Sequence, residues 1–127
     1  MGYYTQYSLT VTGIPDEQTK NALVKYIDSL WWRSIFDQCP DDNRLANDTF
    51  CLEYYPIDEA KWYQCEDDIA GLSKQFPQCY FKLHGDGEDT FDIWDCYFKD
   101  GDKELCPVEI IEPKPVRIKW PDITYQK

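Results

Sequence analysis

The spacing of apolar and polar positions changes several times along the chain, and each change predicts an element. Residues 3–13, YYTQYSLTVTG, are rich in Tyr, Thr and Val and close on Gly13, which predicts a first strand. Residues 14–36, IPDEQTKNALVKYIDSLWWRSIF, then change period. Asp16 follows Pro15 as an N-cap, Glu17 lies in the first turn, and Leu23, Tyr26, Ile27, Leu30, Trp31 and Ile35 recur at three- and four-residue steps. That predicts an amphipathic helix with this stripe inward and Trp32 beside it, partly exposed. Residues 37–49, DQCPDDNRLANDT, break the pattern with Pro, Asp and Asn and predict a loop.

Short β-type runs follow at FCLEYYP and AKWYQ, around a polar turn at Asp58 and Glu59. CEDDIAGLSKQFP predicts a shorter helix with Ile69, Leu72 and Phe76 inward and Pro77 as its stop. Three strand signals come next. QCYFKLH alternates, with Cys79, Phe81 and Leu83 on one face; TFDIWDCYFK puts Trp94, Cys96 and Phe98 on one face; KELCPVEII follows an Asp100–Gly101–Asp102 turn. The order predicts an α+β two-layer sandwich, a mainly antiparallel sheet of at least four strands with two helices on one face, ferredoxin-like connectivity being the closest common form. Residues 1–112 make one domain on this reading, and the Pro-stiffened residues 113–127 an extended C-terminal arm.

HGDGED, between two of these strands, holds the only histidine, and Gly85 and Gly87 there suit the positive φ of a tight hairpin turn. A carboxylate metal site is the alternative. An EF-hand loop is excluded, because the position counted from Asp86 that needs glycine is Phe91. His84 has no neighbouring Cys or His with which to share a transition metal.

Composition narrows the class. At 127 residues with 43% apolar and 17% aromatic residues, the chain can build one ordinary core. It has no run of about 20 apolar residues and no basic–apolar secretory start, so a soluble protein acting where it is made is expected, with no membrane partner. The net charge of −11 is uneven: Asp37 to Glu112 carries −14, and Lys114 to Lys127 carries +3. Direct binding to duplex nucleic acid is disfavoured, and a protein partner with a basic surface is favoured. The plainer alternative is that acidity only confers solubility. The six cysteines, at 39, 51, 65, 79, 96 and 106, form no Cys-x-x-Cys pair, so zinc is not expected. Six cysteines allow 15 disulfide connectivities; without a secretory signal, buried thiols are favoured over bridges, with Cys39 and Cys51 the best candidates for one.

Catalytic signals are thin. There is no phosphate-cradling glycine loop, His-Glu-x-x-His or Gly-x-Ser-x-Gly, and no cofactor is implied. Aromatic residues beyond the needs of a small core point instead to binding. The candidate partner-binding residues are Asp41 and Asp42 in the loop, Asp86, Glu88 and Asp89 at the hairpin, and Tyr54, Tyr55 and Trp62, which lie near acidic segments in the sequence.

At Gly2 to Thr5, Lys61 to Tyr63, Glu66 to Asp68, Gly85 to Glu88, Asp92 to Trp94 and Tyr97 to Gly101 the chain resembles small α+β proteins carried by phages and large DNA viruses. It is more distantly similar to the ferredoxin-like domain of a group of phage and plasmid proteins. The resemblance covers the first strand and about residues 60–101, and it brings no catalytic residues. It implies the α+β fold and a virus or phage origin; with the thin catalytic signals and the surplus aromatics, a non-enzymatic binding protein of the host cytoplasm is expected. On charge, an inhibitor that occupies the basic, nucleic-acid-binding surface of a host or defence protein fits best. A minor virion component is the alternative, and an enzyme with an acidic cleft comes third.

Overall fold

The computed structural model describes residues 4–37, 40–45, 48–87 and 92–107. In chain order the elements are β1 (Thr5–Ile14), α1 (Glu17–Asp28), a 3-10 turn (Trp31–Ile35), β2 (Asp41–Arg44), β3 (Phe50–Tyr54), α2 (Cys65–Gln75), β4 (Tyr80–Gly87), β5 (Ile93–Lys99) and β6 (Asp102–Pro107). The strands form one six-stranded sheet in the order β2-β3-β1-β4-β5-β6, with every neighbouring pair antiparallel.

One face of this sheet is buried. In β1 the side chains of Tyr7, Leu9 and Val11 are buried, and Gln6, Ser8 and Thr10 between them are not. Pairing carries that alternation sideways: Leu9 stands between Tyr54 and Leu83, and Val11 between Leu52 and Phe81. Leu23 and Ile27 of α1 and Ile69 and Leu72 of α2 join the same core cluster, so both helices cover one face. The result is a two-layer α+β sandwich. Each of these aliphatic side chains contributes roughly 1.5–3 kcal/mol by leaving water.

The first helix starts where its cap predicts. Asp16 has extended backbone, and its carboxylate accepts the Thr19 amide at 2.7 Å, which satisfies one of the open N–H groups of the first turn. Its end differs from expectation. α1 stops at Asp28, Leu30 takes an extended conformation (φ −91°, ψ 147°), and the chain restarts as the 3-10 turn. This break rotates the following residues relative to the α-helical stripe. Trp32 is therefore 2% exposed and Trp31 66% exposed, the reverse of the helical prediction.

Two other segments differ. Residues 41–44, expected to be loop, form β2 although all four side chains are exposed. A strand at a sheet edge is made by backbone pairing, here to β3, and needs no alternation of apolar residues. AKWYQ, expected to be β-type, contributes only the isolated bridge from Ala60 to Thr5.

The hairpin between β4 and β5 is present, with Asp86 opposite Ile93 and the Gly87 amide donating to the Asp92 carbonyl at 2.8 Å. Gly85, however, lies inside β4, opposite Tyr7 and Trp94. It is needed for space: a Cβ there would stand 2.2 Å from the Trp94 indole. The β5–β6 turn follows the sequence pattern, with Asp100 at φ 49° and Gly101 at φ 85° between paired Lys99 and Asp102, as a type I′ turn requires. The arm, 113–127, lies outside the described residues.

Two glycine substitutions test this packing in opposite directions. Gly85→Ala forces Trp94 off the sheet and is expected to lower stability by about 1–3 kcal/mol. Gly71→Ala in α2, where a Cβ meets nothing within 4 Å, is expected to raise it by about 0.5–1 kcal/mol. Urea midpoints measure both. A shift of the same sign in the two variants would rule out the Trp94 contact as the constraint on Gly85.

Candidate protein-binding surfaces

The residues singled out from the sequence separate in three dimensions. Tyr54 and Trp62 are 1% exposed and belong to the core, so neither offers a ring to a partner. A Trp or Tyr adjacent to acidic residues in sequence looks like an interface anchor, but strand alternation and ring packing turn both inward. Tyr55, next in β3 direction, is exposed, and its hydroxyl donates to Glu53 Oε1 at 2.7 Å. This bond to a carboxylate, followed by lesser effects that include Asp41, pushes the Tyr55 phenol well above its ordinary range.

Asp41 and Asp42 point to opposite sides of β2. Asp41 pairs with Glu53, and Asp42 pairs with Leu52 on the helix side, where Lys20 of α1 reaches it at 2.5 Å. Asp86 is exposed near the far end of β4. It is three strands from β2 and four residues beyond the Asp41 row, on the order of 20 Å away by strand spacing and rise. Glu88 and Asp89 lie outside the described residues.

The face of the sheet opposite the helices gathers what the sequence scatters. One row crosses all six strands: Asp41, Glu53, Thr10, Lys82, Tyr97 and Glu104. Tyr80 and Tyr97 are exposed, and the Lys99 ammonium sits 4.5 Å over the Tyr80 ring. In the next row Ser8, His84 and Asp95 are neighbours, and the imidazole N–H at Nδ1 donates to Asp95 Oδ1 at 2.7 Å. Glu53, Tyr80, Tyr97 and Glu104 were missed as candidates; the alternation of β4 and β5 carried the signal for the two tyrosines.

A second surface surrounds the 3-10 turn. The amide of Asp37 donates to the Tyr55 carbonyl at 2.8 Å and that of Ile57 to the Ile35 carbonyl at 3.2 Å, which holds Ile57 against the turn. Trp31 and Ile57 line one open groove of about 690 Å³. Trp31 and Tyr63 line an adjoining one of about 250 Å³.

Among the described residues no group of three or more His, Cys, Asp or Glu side chains is placed to hold a metal, and no helix is long and apolar enough to cross a membrane. Compared with known proteins, the chain matches no family model, no curated protein and no solved structure.

Cys51, Cys65, Cys79 and Cys96 are buried, and no disulfide joins them; Cys39 lies outside the described residues. Burial, with the nearby Glu66 charge second, pushes the Cys65 thiol from 9.0 up to about 11. Burial does the same to Cys79, against a partial offset from Lys99, again to about 11. At pH 8 a rise of this size leaves about 100-fold less thiolate. Iodoacetamide is expected to label these two at least that much more slowly in the native protein than in denaturant. The unfolded chain releases the thiol protons above about pH 9 while the native state keeps them, so it binds fewer protons there. Stability should therefore be insensitive to these groups below pH 9 and fall between about pH 9 and pH 11, by about 3 kcal/mol per thiol at most. Urea midpoints across that range measure it. Labelling as fast in the native state as in denaturant would contradict the burial of these groups.

Proposed function

We propose that the protein is a small acidic, non-enzymatic binding protein, encoded by a virus or phage, that inhibits a host or defence protein by occupying its basic, nucleic-acid-binding surface. The observation that carries this reading is the open sheet face. Asp41, Glu53, Asp86, Asp95, Asp102 and Glu104 share it with Lys82, Lys99 and His84, and the rings of Tyr55, Tyr80 and Tyr97 are exposed. Asp41 and Glu53 are neighbours across strands and Asp102 and Glu104 are neighbours along β6, at backbone spacings of about 4.8 Å and about 6.7 Å, so negative charge gathers at both edges of this face. Rings among such charges resemble what a groove for single-stranded nucleic acid meets in its natural ligand: anions to pair with Lys and Arg, and flat faces to stack. The strand order β2-β3-β1-β4 around two helices supports ferredoxin-like connectivity for the first four strands, with β5 and β6 added at one edge. The resemblance at residues 2–5 and about 60–101 supports the viral origin.

The test begins with affinity capture from infected or expressing cells and identification of the partner. Association is then measured with the wild-type protein and with a triple charge reversal, Asp41→Lys, Glu53→Lys and Glu104→Lys. The wild-type association rate is expected to fall at least about tenfold from about 50 mM to about 500 mM salt. The variant should associate more slowly at low salt and melt within a few degrees of wild type, because these side chains lie outside the core. Equal association rates for variant and wild type at low salt would reject this face as the contact surface and leave the acidity as a solubilising feature.

A further inference from the structure

We propose that the chain's own basic C-terminal segment, residues 114–127, docks on the open face of the sheet, opposite the helices. Its regulatory meaning rests on the reading of that face as the partner-binding surface, because the segment then holds the site that a partner must take.

The face carries negative charge that the described residues do not neutralise. Asp41, Glu53, Asp86, Asp102 and Glu104 stand on it, and none of them is in an ion pair among the described residues. Two lysines share the face. Lys99 donates to the Pro77 carbonyl and lies over the Tyr80 ring, and Lys82 stands between Thr10 and Tyr97. The balance is acidic, and most of the excess lies at the two edges. Residues 114–127 bring the opposite sign, with Lys114, Arg117, Lys119 and Lys127 against Asp122, or +3. The chain has no other basic excess of this kind: residues 1–36 balance three basic against three acidic residues, and Asp37 to Glu112 carries −14.

Reach and spacing agree with this contact. Pro107 closes the edge strand β6, opposite Trp94 of β5, so the segment starts beside the face. The twelve residues 108–119 extend up to about 40 Å, whereas the six strands span about 24 Å, so the cations can reach either edge. Arg117 and Lys119 alternate with Val116, Ile118 and Trp120. In an extended chain the two cations share a side about 6.7 Å apart, the spacing of Asp102 and Glu104 along β6. Exposed Tyr97, between Lys82 and Glu104, has no cation over its ring among the described residues. An arginine placed there gains a ring face and a carboxylate together. A tether of this length holds the segment at an effective concentration on the order of 1 mM, so a contact with a Kd of about 1 mM in trans is occupied about half of the time in cis.

The experiment compares amide chemical shifts of the full chain, with no partner present, in wild type and in the variant Lys114→Glu, Arg117→Glu, Lys119→Glu. The amides of Leu23 and Ile69 in the core are expected to coincide, which reports that the variant is folded, and those of Glu53, Lys82, Tyr97 and Glu104 to differ. Raising salt from about 50 mM to about 500 mM should move the wild-type amides toward the variant positions. A synthetic peptide of residues 113–127 should shift the same amides of the variant back, with a Kd of about 1 mM or tighter. Wild-type and variant spectra that coincide at these amides overturn the docking, as does a peptide that leaves them unmoved in the variant. Differences that vanish on dilution assign the segment to a second copy and overturn docking within one chain. All three results leave the sheet face open to a basic partner, so the acidic-binding reading stands or falls separately, on its own association rates.

Discussion

The buried indole of Trp62 is the contact on which most of the structure depends. Its ring stacks on Trp32 and meets the rings of Tyr7, Trp31 and Phe36. Its Nε1–H would cost free energy if buried without an acceptor, and Asp68 Oδ2 accepts it at 2.7 Å. Its carbonyl accepts the Tyr7 hydroxyl at 3.3 Å. One residue thus ties β1, the 3-10 turn and the first turn of α2 to a common point. Asp68 also belongs to an acidic first turn, with Glu66 and Asp67, where negative charge is favoured by the helix dipole. The same carboxylate sits in the helix's first turn and satisfies the indole.

From that contact follows the exposed surface beside it. Trp32 takes the stacking position against Trp62, and the 3-10 geometry then leaves Trp31 on the outside, touching Trp62 only by an edge. Core stability and the aromatic surface are therefore mechanically linked, and a change that loosens Trp62 would disturb both.

The second governing constraint is the one-sided sheet. Both helices cover a single face, so the acidic strand residues collect on the other face and at its rims. Mutual repulsion among them lowers stability somewhat. Local pairing softens it: Lys20 meets Asp42, and Lys103 meets Glu66 at 3.1 Å. Such pairs are exposed on at least one side and contribute little individually.

Periodicity by itself determined the elements that bury a face. Helix α1 began at Asp16, β4 and β5 alternated as written, and Asp100–Gly101 turned the chain, because capping, pleat and positive φ are local properties. Three things were decided only in the folded chain. β2 has no buried face, so nothing in its side chains announced it; its backbone was recruited by β3. Trp31 and Trp32 exchanged places because a helix break, invisible to a count of apolar spacing, rotated the chain until one indole could stack on Trp62. Of the candidate binding residues, Asp41, Asp42, Tyr55 and Asp86 remained on the surface, while Tyr54 and Trp62 went to the core. Sequence proximity to acidic residues carries no information about which side of a strand or turn a ring takes. That side is fixed by which long-range partner buries it, and those partners, such as Trp32 for Trp62 and Leu9 for Tyr54, lie some 30 to 45 residues away in the chain.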